Sequence, residues 1–172
     1  MRRFPVVVCL ALLLLGGVAP SVGLAGRFDI LFARRDPLGV IEGKVRVVCP
    51  PPEDYSWELL RSQGEPGTIR VLEPKKWTGR YLAYDPEGKD KAVFLAEKQS
   101  LGTKWVLTRV EGGSSTYTIR AAEGELKGWY LDVEEKGEKL VSQKGETSTA
   151  YRAFLSEKPK RVPQVVITEV AP

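Results

Sequence analysis

A block of about 49 residues recurs along this chain and limits what it can fold into. Trp57-Glu-Leu-Leu is followed by Thr68-Ile69-Arg70, then by Gly79-Arg-Tyr81-Leu82 and Val93-Phe-Leu95. Trp105-Val-Leu-Thr is followed in the same order by Tyr117-Thr118-Ile119-Arg120, Gly128-Trp-Tyr130-Leu131 and Leu140-Val141. The two series run in step, with 48 residues between the tryptophans, 50 between Ile69 and Ile119, and 49 between Leu82 and Leu131. A third, decayed copy starts at Phe154, 49 residues after Trp105, with Ile167 standing 13 beyond it. A unit of this size cannot bury its apolar face alone, so the copies must pack against one another.

Each copy reads as short strands. Runs of β-branched, aromatic and aliphatic residues alternate with turn chemistry such as Asp36-Pro37, Pro50-Pro51-Pro52, Glu65-Pro66-Gly67, Asp85-Pro86-Glu87-Gly88 and Gly112-Gly113, and helical periodicity is absent after Gly26. Twelve strands are expected, at 28–33, 44–48, 56–60, 68–72, 80–84, 92–96, 104–109, 116–121, 129–133, 139–142, 152–155 and 165–170. About four strands per unit, three units and roughly 150 residues define an all-β chain of the β-trefoil pattern. One large side chain per unit then plugs the barrel, and Trp57, Trp105 and Phe154 are the expected fillers. Gly79 and Gly128, each two residues before a Tyr-Leu pair, are expected at positive φ or at a close backbone approach. Two closures stay open. Either the strand at 28–33 begins the first unit and 165–170 completes the third, or the repeat is permuted.

The N-terminus reads as an export signal. Met1-Arg2-Arg3 is basic, 6–15 is apolar and too short to span a bilayer, and Gly16, Gly17 and Pro20 break it. Residues 1–25 are expected to be cleaved, leaving 26–172 as a single secreted or periplasmic domain, a monomer with no membrane attachment. Loss of Arg2 and Arg3 leaves 24 basic against 22 acidic residues, interspersed, which points away from nucleic acid. Cys49 is the one cysteine beyond the signal, so no intramolecular disulfide can form, and a small buried strand residue is its expected role.

The composition also excludes chemistry. There are no histidines, which removes the commonest general base, the partner of most serine and cysteine nucleophiles and the usual zinc ligand. No catalytic residues, metal site or cofactor are expected. Asparagine is absent too, so no N-glycosylation sequon exists and one favoured partner of sugar hydroxyls is missing. Asp85, Glu87 and Asp90 lack calcium-loop spacing and read as a turn. Trp77 lies outside the strand pattern; it is either an exposed stacking residue or an aromatic folded back onto the barrel end.

Two family resemblances follow from these motifs. Trp105 to Asp132, with its Trp-x-Leu, Tyr-x-Ile and Gly-x-Tyr-Leu-Asp elements, resembles a ricin B-type lectin repeat, although the Gln-x-Trp signature is absent. The series Gly26-Arg-Phe-Asp-Ile30, Asp36-Pro-Leu-Gly39, Lys44-Val-Arg-Val-Val48, Trp57-Glu-Leu, Leu82-Ala-Tyr84, Lys104-Trp105-Val, Tyr117-Thr-Ile119, Gly128-Trp129 and Val166-Ile167-Thr-Glu-Val170 resembles the fungal-type trefoil serine protease inhibitors from end to end. That second resemblance implies an inhibitory loop within 156–164, basic and stiffened by Pro159 and Pro163, with Arg161 as the primary specificity residue, then Lys160, and with Lys158 and Val162 beside them. Its partner would be a trypsin-like serine protease. The alternative is a carbohydrate-binding module with shallow sites between hairpins and Trp77 or Tyr84 as stacking platforms for a glycan. A module with neither activity is the third expectation.

Overall fold

A computed structural model describes residues 26–32, 36–60, 66–141 and 145–170; the expected signal segment lies outside the described residues. Thirteen strands join into one sheet. The first unit holds β1 (Arg27–Leu31), β2 (Leu38–Ile41), β3 (Lys44–Cys49) and β4 (Ser56–Leu60). The second holds β5 (Thr68–Glu73), β6 (Tyr81–Tyr84), β7 (Val93–Ala96) and β8 (Trp105–Arg109). The third holds β9 (Thr116–Ala121), β10 (Tyr130–Val133), β11 (Glu138–Val141), β12 (Thr147–Ser156) and β13 (Val165–Glu169).

Six of these strands close a barrel. β1 pairs with β4, β4 with β5, β8 with β9, β9 with β13, and β13 returns to β1. The remaining join, between β5 and β8, is a bridge in which the Gly67 N–H donates to the Trp105 carbonyl at 2.9 Å and the Trp105 N–H donates back at 2.8 Å. Three hairpins cap one end: β2–β3, β6–β7 and β10–β12. This is a β-trefoil. The strand at 165–170 completes the third unit, so the open question of closure resolves to the unpermuted order. All twelve expected strands form. The thirteenth, β2, hides in the sequence because Pro37 and Gly39 read as turn residues.

Repeated backbone bonds show the pseudo-threefold symmetry. The Gly79 N–H donates to Val71 and the Gly128 N–H to Ala121; the Val71 N–H in turn donates to Arg80, the Ala121 N–H to Trp129 and the Phe32 N–H to Asp36. Gly79 and Gly128 have φ of 85° and 87°, and an added Cβ at either would meet nothing within 4 Å. Positive φ, and not close approach, therefore fixes glycine there.

The core differs from expectation in its third unit. Trp57 and Trp105 are fully buried, begin the inward pattern of β4 and β8, and donate their indole N–H groups to Leu38 and Leu82. Burying two indoles contributes on the order of 5 kcal/mol each from apolar area. Phe154 is not the third plug: it lies half-buried on cap strand β12, opposite Asp132. The equivalent residue is Val165, which stands two before Ile167 as Trp57 stands two before Leu59. Extending the β1–β13 register by one residue sets Phe32 opposite Val165, where Val71 and Ala121 face the tryptophans. A larger ring on one strand thus offsets the smaller side chain on its neighbour. Cys49 also departs from expectation, since it ends β3 exposed.

Candidate functional site

The symmetry gives three equivalent positions at which a cap could hold a ligand, and their residues differ. Leu38, Leu82 and Leu131 correspond and are all buried; the residues that follow them are Gly39, Ala83 and Asp132. In the first unit the Tyr55 ring occupies the space beside Gly39, where a Cβ would lie 2.5 Å from it. In the second, Ala83 is buried and Gly102 packs onto the Tyr84 carbonyl. The third unit has Pro163 at the position of Tyr55, and a cleft opens there.

That cleft, of about 980 Å³, is lined by Asp132 to Glu135 of the third cap together with Phe32, Asp36, Tyr151, Arg161 to Gln164 and Val166, among others. A second cleft of about 930 Å³ shares Asp132 to Glu135 and Arg161 with it and continues along Lys136, Phe154, Ser156 and 158–160. The Asp132 carboxyl is half-buried, and burial raises its pKa against the opposing hydrogen bond from the Val133 N–H at 2.8 Å. Glu134 is committed to Arg152 at 3.6 Å, and Arg152 also reaches Asp90 at 3.5 Å. Glu135 accepts from Lys160 at 2.6 Å, which holds its carboxyl below the usual range and raises Lys160.

The sequence-derived candidates are placed as follows. Lys158, Lys160, Arg161 and Val162 do share one loop, but it runs along the wall of the two clefts, with Pro159 and Pro163 half-buried and Lys160 tied to the β10–β11 turn. Trp77 sits on a single 3-10 turn (Lys75–Trp77), half-buried, with the Lys76 ammonium and Arg80 guanidinium each 5.1 Å from its ring centroid. Its edge lies against Gly43 of the first cap. Trp77 is folded onto the barrel end.

Tyr84 cannot be a stacking platform, because it is 1% exposed and meets Trp105 edge-to-face at 4.9 Å. Its hydroxyl accepts from the Glu123 N–H at 3.0 Å and lies within donating distance of the Lys104 and Glu123 carbonyls. The Asp85 carboxylate accepts N–H groups of Glu87, Lys89 and Asp90, which is the expected turn. Among the described residues no group of three His, Cys, Asp or Glu could hold a metal ion.

Asp132 and Tyr151 were not among the expected site residues, and Gln164 was expected only as the end of the 156–164 loop. Asp132 stood in the Gly-x-Tyr-Leu-Asp element of the lectin-like repeat, which was the available signal. Tyr151 and Gln164 come from segments joined to it only by the fold.

The closed six-stranded barrel with three hairpin caps, one of them opening a polar cleft, defines a β-trefoil. No family model and no curated protein matches the chain. Among solved structures it is similar to SeviL bound to asialo-GM1 saccharide, with a TM-score of 0.56 at 13% identity over 86% of this chain and 99% of that one. This likeness overturns the resemblance to trefoil serine protease inhibitors, and with it the trypsin-like partner: the matching fold is that of a saccharide-bound protein. Within the basic loop Lys160 is ion-paired to Glu135 of its own cap.

Proposed function

We propose that the chain is an exported carbohydrate-binding β-trefoil with one saccharide site, in the cleft of its third unit. The observation that carries this reading is the grouping in one cleft of Asp132, Gln164 and Tyr151 beside the apolar Phe32 and Val133. A sugar ring needs acceptors and donors for its hydroxyls and an apolar face for its C–H groups. Asp132 supplies an acceptor already stripped of part of its water, the Gln164 amide supplies donors in place of the missing asparagine, and Tyr151 supplies a ring. The fold likeness to a saccharide-bound structure supports the same reading.

A glycan array probed with the mature chain tests it. Binding to a defined set of saccharides is expected, and Asp132→Asn should weaken that binding about tenfold or more, as loss of a charge-assisted hydrogen bond does. A silent array at high protein concentration would dispose of the proposal. The blocked positions beside Gly39 and Ala83 give one ligand per chain, to be checked by the stoichiometry of a calorimetric titration.

A further inference from the structure

We infer that the second cleft is an anion subsite of the same binding site, taking a sulfate or carboxylate borne by a saccharide whose neutral part occupies the first cleft. The inference rests on the carbohydrate reading above. The two clefts share Asp132, Val133, Glu134, Glu135 and Arg161, so they adjoin along these residues and one ligand bound across them would reach both.

Their uncommitted charges differ in sign. In the second cleft Glu135 is paired with Lys160, and Glu134 shares Arg152 with Asp90. Lys136, Lys158 and Arg161 line the same cleft, and none of them makes an ion pair among the described residues. Three uncommitted cations there face one uncommitted carboxylate, Asp132, which lies on the shared wall. In the first cleft Asp36 and Asp132 outnumber Arg161. The first cleft thus suits hydroxyl donors, and the second suits an anion. Half-buried Phe154 and the Ser156 hydroxyl give the second cleft an apolar floor and a neutral donor. Arg161, at the seam, presents a planar fork that matches sulfate or carboxylate oxygens.

The experiment is an array of matched saccharides, each neutral, O-sulfated and carboxylated, followed by titration of the best-bound set with wild type and with Lys136→Gln/Lys158→Gln. Neither substituted residue lines the first cleft. Wild type is expected to bind at least one anionic form about tenfold more tightly than its neutral parent at low salt, and most of that advantage should vanish at about 0.5 M salt, where exposed charges are screened. The double variant, which keeps Arg161, should lose most of the anionic advantage, with the neutral affinity unchanged. The sulfated and carboxylated arms say which group the subsite prefers. Equal wild-type binding of neutral and anionic forms overturns the subsite and leaves the carbohydrate reading standing, as does an anionic advantage that survives undiminished in the double variant. Silence towards every saccharide overturns both.

Discussion

The Trp105 indole nitrogen lies 2.9 Å from the Leu82 carbonyl to which it donates, and the bond ties a barrel strand to the cap above it. Trp57 makes the same bond to Leu38 at the same distance, one unit earlier. Trp105→Phe keeps most of the apolar bulk but strands a buried carbonyl, so it should cost about 2–3 kcal/mol in urea unfolding. Trp57→Phe should match it. A loss under about 0.5 kcal/mol in either would show that packing alone anchors the caps.

Tyr84→Phe separates core from site. The hydroxyl serves the Glu123 N–H and nearby carbonyls in a buried pocket, so its removal should destabilise by about 1–3 kcal/mol while leaving saccharide affinity unchanged. A drop in affinity without a drop in stability would return Tyr84 to the binding surface.

Two glycine substitutions should fail for different reasons. Gly39→Ala drives a methyl into the Tyr55 ring, and overpacking of this kind costs about 1–3 kcal/mol. Gly128→Ala has open space but φ of 87°, which costs about 1–2 kcal/mol for an L side chain. Tyr55→Leu should recover stability in the first background and not in the second. Equal effects in the two backgrounds would refute the steric account of Gly39.

Asp132 links binding to pH. Burial raises its folded pKa above the ordinary 3.8, so the folded chain holds this proton more tightly than the unfolded chain does. The stabilising contribution is complete below the ordinary Asp range and is lost as pH rises through the raised value. Asp132→Asn should therefore raise the melting temperature at neutral pH, with a gain that shrinks as pH falls below about 4. Wild-type saccharide affinity should run the other way, weakening on acidification as the carboxylate acceptor is protonated. Asp36, Glu134, Glu135 and Arg161 line the same cleft, and a pH dependence that persists unchanged in Asp132→Asn would show that Asp132 is not its source.

The repeat spacing was enough to read the architecture because Trp57 and Trp105 are both barrel residues and the turn chemistry between them is regular. It misled at Phe154. The third unit carries an extra hairpin, β11 with the first half of β12, which pushes Val165 to 60 residues after Trp105 while Phe154 falls by chance at the regular interval. The better signal was the pair Val165 and Ile167, two apart, matching Trp57 with Leu59 and Trp105 with Leu107. Tyr84 was likewise legible, since it shares a strand face with Leu82 and so points inward. The cleft was not, because it depends on Pro163 standing where Tyr55 fills the first unit, and a single linear reading does not align those two residues.

The barrel is sealed by its own two ends, with Ile30 of the first strand registered against Ile167 of the last. No earlier segment can substitute for that partner, so the ring stays incomplete until synthesis has reached the final strand, and closure between such distant segments makes folding slow. Clipping at the loop before Val165 followed by loss of the tail would leave β1 and β9 as bare strand edges, which are templates for aggregation. A single cut in that connection would thus expose two strand edges at once.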